Sequence, residues 1–163
     1  MAGASVIAAP MQVANLGTMA VLMDSSGAGF GIWAPIEFQG FAVIDEPRAP
    51  RWFEQRSREY DKAVAFYKEV FAWDIREVSE AREPRYTTAT HGDRSFAGLM
   101  EVEAGPQEVN AHWRVYFGVD DADLAVTTTL ELGGSVLSPV RDTPFGRLAA
   151  LADSTGAIFS IIE

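Results

Sequence analysis

A stretch of sequence that occurs twice constrains the fold of this chain more than any other feature. "GTMAVLMDSSGAGFGI" at residues 17–32 and "GRLAALADSTGAIFSI" at residues 146–161 agree at nine of sixteen positions, with a constant offset of 129. Self-similarity at a fixed offset over this length indicates a duplicated structural unit. The offset is too long for a solenoid repeat, so the duplicated unit has the size of a domain. We expect residues 1–35 to be the closing strands of one such unit.

Both copies contain a predicted turn between two strands. In the first copy, Asp24-Ser-Ser-Gly27 separates "GTMAVLM" from "AGFGIW", and Asp153 begins the same pattern in the second copy. An aspartate at the first turn position accepts hydrogen bonds from nearby backbone N–H groups, and a glycine at the fourth tolerates left-handed dihedral angles. The sequence therefore predicts two equivalent hairpins.

The rest of the chain follows one order of elements twice. A linker at residues 36–50 precedes a strand, "RWFEQRS", and a helix with apolar residues at i, i+3, i+4 and i+7: Ala63, Phe66, Tyr67 and Val70. Three predicted strands follow. The order restarts with the strand "HWRVYFGV", a helix capped by Asp121 and three closing strands. The helix openings at Glu59 and Asp121 lie 62 residues apart.

Composition excludes several classes of function. The net charge of −10 disfavours nucleic-acid partners, which need clustered Lys and Arg, and mildly favours cationic small ligands. The chain has no cysteine, which excludes disulfides, thiolate metal sites and cysteine nucleophiles. No apolar run reaches the roughly 20 residues that span a bilayer. No basic segment precedes the first apolar stretch, so we expect no signal peptide, no membrane partner and a cytoplasmic location.

From residue 51 onward the chain resembles the vicinal oxygen chelate superfamily, which includes glyoxalase I, bleomycin-resistance proteins and extradiol dioxygenases. The resemblance is carried by "REYDKAVAFYKEVFAWDI", "VDDADLAVTTTLELGGSVL" and the terminal "LADSTGAIFSIIE". The tandem bacterial subgroup, in which two such domains follow one another, is the most similar. The resemblance implies an α+β fold: paired βαβββ modules form a curled mixed sheet around a cavity, with the helices outside. Residues 51–163 would form the complete domain.

The same resemblance locates the positions of the superfamily's metal ligands, one on the first and one on the last strand of each module. Those positions correspond here to Trp52, Gly98, Arg114 and Ser160. None of them is a histidine or a carboxylate, and an arginine repels a divalent cation. We therefore expect no metal and no other cofactor, and we expect the lyase and dioxygenase chemistry that depends on the metal to be absent.

Strand alternation predicts which side chains face the cavity. Trp113 and Phe117 fall on the opposite, helix-covered face of their strand. Buried charges need partners, so Glu54 is expected to pair with Arg56 or Arg114. Glu54 and His112 are also candidates for an acid–base pair. The predicted ligand-binding residues are Trp52, Glu54, Arg56, His112, Arg114, Tyr116 and Ser160.

Three functions remain open. Metal-free binding of a small molecule in the cavity between the modules, as in antibiotic-sequestering relatives, is the leading hypothesis. A lyase or dioxygenase with a non-standard site and a degenerate interaction module are the alternatives. The first copy has strands without the strand and helix that complete a module, and such strands expose apolar surface. We therefore expect these strands to dock on the sheet edge of their own domain or on a second chain, which would make a homodimer.

Overall fold

The computed structural model describes residues 2–78, 84–102 and 110–163. Along the chain, the strands are β1 Ser5–Val13, β2 Gly17–Met23, β3 Gly29–Pro35, β4 Pro50–Ser57, β5 Asp74–Glu77, β6 Tyr86–His91, β7 Arg94–Glu101, β8 His112–Gly118, β9 Ser135–Thr143, β10 Gly146–Ala152 and β11 Ile158–Ile162. The helices are α1 Tyr60–Phe71 and α2 Ala122–Glu131. The α+β class and the repeated order β, α, β, β, β are confirmed.

The chain divides into two compact units, and two of the three boundaries between them fall within strands, in β4 and β8. The first unit comprises residues 1–42 and 54–113, and the second comprises residues 43–53 and 114–163. Within the first unit, β1, β2 and β3 form a sheet of their own, and a second set of strands runs in the order β5, β6, β7, β4, with β4 and β7 parallel. Within the second unit the order is β8, β11, β10, β9, with β8 and β11 parallel.

Helix α1 forms where the apolar periodicity predicts it, with one change in its buried stripe. Tyr60, Ala63, Phe66 and Tyr67 are buried, whereas Val70 is 46% exposed. In the last turn, Phe71 is 38% exposed and stacks on Tyr67, with ring centroids 6.0 Å apart. The helix ends at Ala72, which has a left-handed conformation and donates its N–H to the Tyr67 carbonyl.

Helix α2 covers the strands of the second unit. The Asp121 carboxylate accepts a hydrogen bond of 2.9 Å from the Leu124 N–H, so the expected cap is confirmed. Ala122 of the helix is buried together with Ala149, Leu151 and Ile161 of the strands. Neither helix in the described part of the chain is long and apolar enough to cross a bilayer.

The end of the predicted linker is held against β8 within the second unit. The Arg48 N–H donates to the Gly118 carbonyl at 2.8 Å, and the Gly118 N–H donates to the Ala49 carbonyl at 3.0 Å. A Cβ atom at Gly118 would lie 2.9 Å from the Glu46 carbonyl oxygen, so this close approach requires glycine. Ala49 is 4% exposed, and the segment before β4 is therefore part of the packed unit.

The sheet β1–β2–β3 packs on helix α1, not on a sheet edge as expected from the sequence. The Phe30 ring of β3 meets the rings of Phe66 and Phe71 at centroid distances of 5.8 Å and 5.9 Å. The Ser25 hydroxyl donates to the Lys62 carbonyl at 3.0 Å. Each edge-to-face pair of aromatic rings contributes about 0.5–1.5 kcal/mol beyond the area it buries, so these contacts stabilise the sheet on the helix.

Candidate functional site

Strand β4 carries the two charged candidates of the first unit. Arg56 donates from Nη1 to Glu54 Oε1 at 2.8 Å, and the two side chains are 20% and 8% exposed. Residues 54 and 56 share one face of the strand, while Gln55 and Ser57 are buried on the other. Moving a charge out of water costs several kcal/mol unless it is paired. The expected pairing of Glu54 is confirmed with Arg56 as a partner.

The parallel strand pairs of the two units have the same register. Glu54 lies opposite Gly98 in the first unit, and Tyr116 lies opposite Ser160 in the second. Each residue of the first pair is 62 positions before its counterpart, the same separation as the helix openings at Glu59 and Asp121. Gly98 and Ser160 are therefore structurally equivalent positions on the last strands of two related modules.

This equivalence allows a test of the metal positions that the resemblance implies. Gly98 has no side chain, Ser160 offers one hydroxyl that is buried in its strand, and the positions on the first strands hold Trp52 and Arg114. Divalent metals need several carboxylate, imidazole or thiolate ligands. Across the described ranges, no group of three or more His, Asp or Glu side chains could hold a metal ion. These residues do not fit the superfamily's metal.

The remaining candidates occupy strand faces in their own units. In the second unit, Tyr116 and Ser160 are 9% and 2% exposed on neighbouring parallel strands, and Trp52 and Arg114 are half-buried. In the first unit, His112 Nδ1 lies 2.9 Å from the Asn110 carbonyl oxygen. Because a carbonyl oxygen only accepts, Nδ1 carries the hydrogen in this contact. The acid–base pairing of Glu54 and His112 stays a prediction.

Sequence reasoning missed a buried polar group on the other side of β4, which we call the docking cluster: Asp24, Ser26, Gln55, Tyr67 and Trp113. The Tyr67 hydroxyl donates to Asp24 Oδ2 at 2.9 Å and accepts from Trp113 Nε1 at 2.8 Å. Gln55 Nε2 donates to the Ser26 hydroxyl at 2.8 Å. Burial, and then the negative charge of Asp24, raise the pKa of the Tyr67 hydroxyl well above its usual value. The phenol is therefore neutral and fixed as a hydrogen-bond relay.

Only the position of Trp113 in the sequence indicated this cluster. Asp24 repeats Asp153, which shows that its first role is in the turn, and Tyr67 belongs to the apolar stripe of α1. Trp113 falls on the face of β8 that was predicted to meet a helix, and it does contact Tyr67 of α1, with ring centroids 5.4 Å apart. The long-range bond between Asp24 and Tyr67 joins residues 43 positions apart, and no local pattern encodes it.

Comparison with known proteins agrees with this architecture. Residues 53–162 match the family described as glyoxalase-like domain. The chain is 37% identical over 163 residues to the anthracycline biosynthesis protein DauV of Streptomyces sp. (strain C5), covering 99% of this chain and 58% of that protein. It spans less than two thirds of the length of the curated relatives it matches.

Two solved structures share the fold at low sequence identity. The 2,3-dioxygenase LapB from Pseudomonas sp. KL28 has a TM-score of 0.61 at 12% identity, covering 98% of this chain and 62% of that one. Methylmalonyl-CoA epimerase from Streptomyces coelicolor has a TM-score of 0.51 at 19% identity, covering 71% of this chain and 96% of that one. With its matched residues and its repeated βαβββ order, the chain belongs to the glyoxalase-like domain family.

Proposed function

We propose that this chain binds a small organic molecule without a metal ion, through the polar side chains Glu54 and Arg56 of β4. The observation that carries the proposal is the Glu54–Arg56 ion pair on β4, with side chains 8% and 20% exposed. A buried ion pair is weak evidence for stability, because well-packed apolar residues of similar size stabilise a core equally well or better. An ion pair at this position in the sheet is better explained by recognition of a ligand.

The immediate surroundings of the pair favour this interpretation. Gly98, directly opposite Glu54 in the neighbouring strand, contributes no side chain beside the carboxylate. A carboxylate accepts hydrogen bonds and a guanidinium donates them in a planar fork. The two groups together suit a ligand with a hydroxyl and a carbonyl or enolate oxygen. The relative named for anthracycline biosynthesis makes aromatic polyketides the first ligand class to test.

Thermal denaturation with candidate ligands tests the proposal. A ligand that binds only the native state at 100 times its Kd adds about 2.7 kcal/mol, which raises the Tm by about 5–10 °C in a domain of this size. Anthracycline aglycones are one probe set, and cationic and anionic aromatic compounds of similar size are the others. No shift with any of them would favour a degenerate interaction module.

Two paired substitutions separate ligand recognition from general effects of charge. Glu54→Gln with Arg56→Gln removes both charges of the pair and leaves hydrogen-bonding groups of similar size. The matched control is Asp74→Asn with Arg76→Gln, which removes the exposed ion pair of β5, 3.1 Å long. We expect at least a tenfold loss of affinity in the first variant and none in the control. Equal affinities in both variants would contradict the proposed site.

Elemental analysis of the purified protein tests the metal-free part of the proposal separately. Trp52, Gly98, Arg114 and Ser160 provide no set of carboxylate or imidazole ligands, so we expect less than stoichiometric zinc, nickel, manganese and iron after dialysis. One tightly held equivalent of metal would instead favour a lyase or dioxygenase that uses a different set of ligands.

A further inference from the structure

The hydrogen bonds of the docking cluster run without a break from α1 to β4. The Tyr67 hydroxyl of α1 donates to Asp24 Oδ2 at 2.9 Å, and Asp24 Oδ1 accepts from the Ser26 hydroxyl at 2.7 Å. The Ser26 oxygen in turn accepts from Gln55 Nε2 of β4 at 2.8 Å. The turn of the first hairpin therefore connects a helix to the strand that carries the proposed ligand site.

Gln55 lies between the two residues of the ion pair on β4. It is fully buried on the side of the docked hairpin, whereas Glu54 and Arg56 share the opposite face of the strand. Gln55 Oε1 is buried and has no hydrogen-bond partner within the described part of the chain, so the amide is held from its nitrogen. Because residues 54–56 are consecutive in one strand, a shift of Gln55 moves both charged side chains.

The second unit has an apolar residue at the position that corresponds to Gln55. Gln55 lies opposite Leu99, and Phe117, 62 positions later, lies opposite Ile161. Phe117 contacts Phe159, with ring centroids 6.0 Å apart. An apolar residue thus suits this position of the strand, and a buried amide costs free energy unless it is hydrogen-bonded. The glutamine of the first unit is explained by its bond to the hairpin.

We propose that Ser26 is a positioning residue for the ligand site of β4, and that ligand binding there is coupled to docking of the first hairpin. The inference rests on the function proposed for the Glu54–Arg56 pair. Ser26 acts through Gln55, whose position fixes the segment of β4 that presents the pair. Binding and docking then stabilise each other, because the coupling between two sites is reciprocal.

The neighbouring turn residue provides a matched control. The Ser25 hydroxyl donates to the Lys62 carbonyl of α1 at 3.0 Å, so it also docks the hairpin, but its bond leads to the helix and not to β4. Ser25→Ala and Ser26→Ala each remove a hydroxyl from the same turn. Of the two, Ser26→Ala is the variant that removes the acceptor of Gln55 Nε2.

A threonine at the same position provides the rescue variant. The repeat of Ser26 in the second copy is Thr155. The Thr155 hydroxyl donates to Asp153 Oδ1 at 2.7 Å, so a threonine hydroxyl fits this turn. Ser26→Thr therefore keeps the hydroxyl that Gln55 needs and should behave as the wild-type chain does.

Hydrogen exchange of the Arg56 guanidinium, followed by NMR, tests the positioning role without a ligand. Arg56 Nη1 donates to Glu54 Oε1 at 2.8 Å, and the arginine side chain is 20% exposed, so its N–H groups should exchange slowly. We expect Ser26→Ala to speed this exchange at least about tenfold, and Ser25→Ala and Ser26→Thr to leave it unchanged. Equal acceleration in both alanine variants, or none in Ser26→Ala, would overturn the proposal.

Titration with an anthracycline aglycone, at a temperature where every variant is folded, tests the coupling to the ligand. We expect the affinity to fall about fivefold or more in Ser26→Ala and to stay unchanged in Ser25→Ala. In the wild-type chain, the bound aglycone should slow amide exchange in residues 17–35.

The two measurements distinguish failure of this inference from failure of the proposed function. If the aglycone binds the wild-type chain and Ser26→Ala equally well, the proposed function stands and the positioning role of Ser26 is overturned. If the aglycone does not bind the wild-type chain, while Arg56 exchange responds to Ser26→Ala and not to Ser25→Ala, the result contradicts the proposed ligand. Ser26 would then position the ion pair alone.

Discussion

The hairpin turns around Asp24 and Asp153 have the same internal hydrogen bonds, but the first aspartate is buried and the second is exposed. Asp24 Oδ1 accepts from the Ser26 N–H at 2.8 Å and the Ala28 N–H at 3.0 Å. Asp153 Oδ1 accepts from the Thr155 N–H at 2.8 Å and the Ala157 N–H at 3.0 Å. The first turn is buried, with Asp24 4% exposed, whereas Asp153 is exposed. Local sequence determines the turn, and the rest of the chain determines whether it becomes part of a core.

The difference lies in the second carboxylate oxygen. Asp24 Oδ2 accepts the hydroxyl hydrogen of Tyr67, which also receives the Trp113 N–H, and this links the first hairpin to α1 and β8. The aspartate thus has one oxygen for its own turn and one for the docking cluster. The same residue type in the same turn therefore has a larger energetic role in the first copy.

Asp24→Ala is expected to have the largest effect among the variants that test this comparison. It removes the turn's acceptor and leaves the buried Tyr67 hydroxyl and the Ala28 N–H without their partner, which should cost about 3 kcal/mol. Asp153→Ala removes the equivalent acceptor in an exposed turn, where water replaces it, and should cost much less. Urea unfolding measures both. Equal losses in the two variants would show that burial adds nothing to this aspartate.

Tyr67→Phe tests the link between hairpin and helix while leaving both turns intact. The variant keeps the ring contacts with Phe30 and Trp73 but removes the hydroxyl that bridges Asp24 and Trp113. We expect a loss of about 2 kcal/mol, because a buried carboxylate oxygen and a partly buried indole N–H each lose a partner. In a double-mutant cycle with Asp24→Asn, a coupling of about 1 kcal/mol or more is expected. Strict additivity would contradict a direct interaction.

Unfolding at alkaline pH tests the buried docking cluster without a substitution at Asp24. Burial raises the pKa of Tyr67 above its ordinary value of 10.0, so below pH 10 its hydroxyl is protonated in both folded and unfolded chains. Above pH 10 the unfolded chain releases this proton and the folded chain keeps it. The free energy of unfolding should then fall by about 1.4 kcal/mol per pH unit for this one group.

The control for this pH dependence is again Tyr67→Phe. Burial also raises the pKa of Tyr60, so the free energy of unfolding should still fall with pH in the variant. The slope should be smaller by the contribution of the Tyr67 proton. Urea unfolding between pH 9 and about pH 11.5 measures the slope. Identical slopes in the two proteins would show that Tyr67 titrates normally and is not held by the cluster.

Glycine substitutions test whether the two turns are equivalent in their backbone. Gly27 and Gly156 have φ angles of 95° and 90°, and nothing lies within 4 Å of a Cβ atom built on either. Alanine at each position should therefore cost only the left-handed strain, about 1–2 kcal/mol, and the two losses should agree. A much larger loss at Gly27 would mean that docking on α1 strains the first turn.

The smallest effect is expected in the exposed turn itself. The hydroxyl of Thr155, followed by backbone N–H groups of the turn, lowers the pKa of Asp153 below its ordinary value of 3.8. Thr155→Ala should move that pKa upward, toward 3.8, as followed by NMR titration of the carboxyl carbon. Ser154→Ala, at the adjacent turn position, is the control. An unchanged pKa in Thr155→Ala would assign the shift to the backbone alone.

The candidate site also combines contacts between residues close in sequence with contacts between residues far apart in sequence. The positions of Trp52, Glu54 and Arg56 on one face of a strand follow from the period of two, and the Glu54–Arg56 pair joins residues two apart on that face. The docking cluster could not be predicted, because Gln55 and Ser26 are 29 residues apart and Tyr67 and Trp113 are 46 apart. Apolar and polar patterns predict which residues are buried, but not which buried groups meet.

By itself, the sequence determined the order of elements, the Asp121 helix cap and both turn geometries. Each of these depends on residue identity at one position or on hydrogen bonds within four residues. Only the tertiary structure decided that the first hairpin lies on α1 and that Asp24 is buried there while Asp153 is exposed. Burial of a hydrogen-bonded carboxylate depends on contacts among residues distant in sequence, and two nearly identical segments can differ only through those contacts.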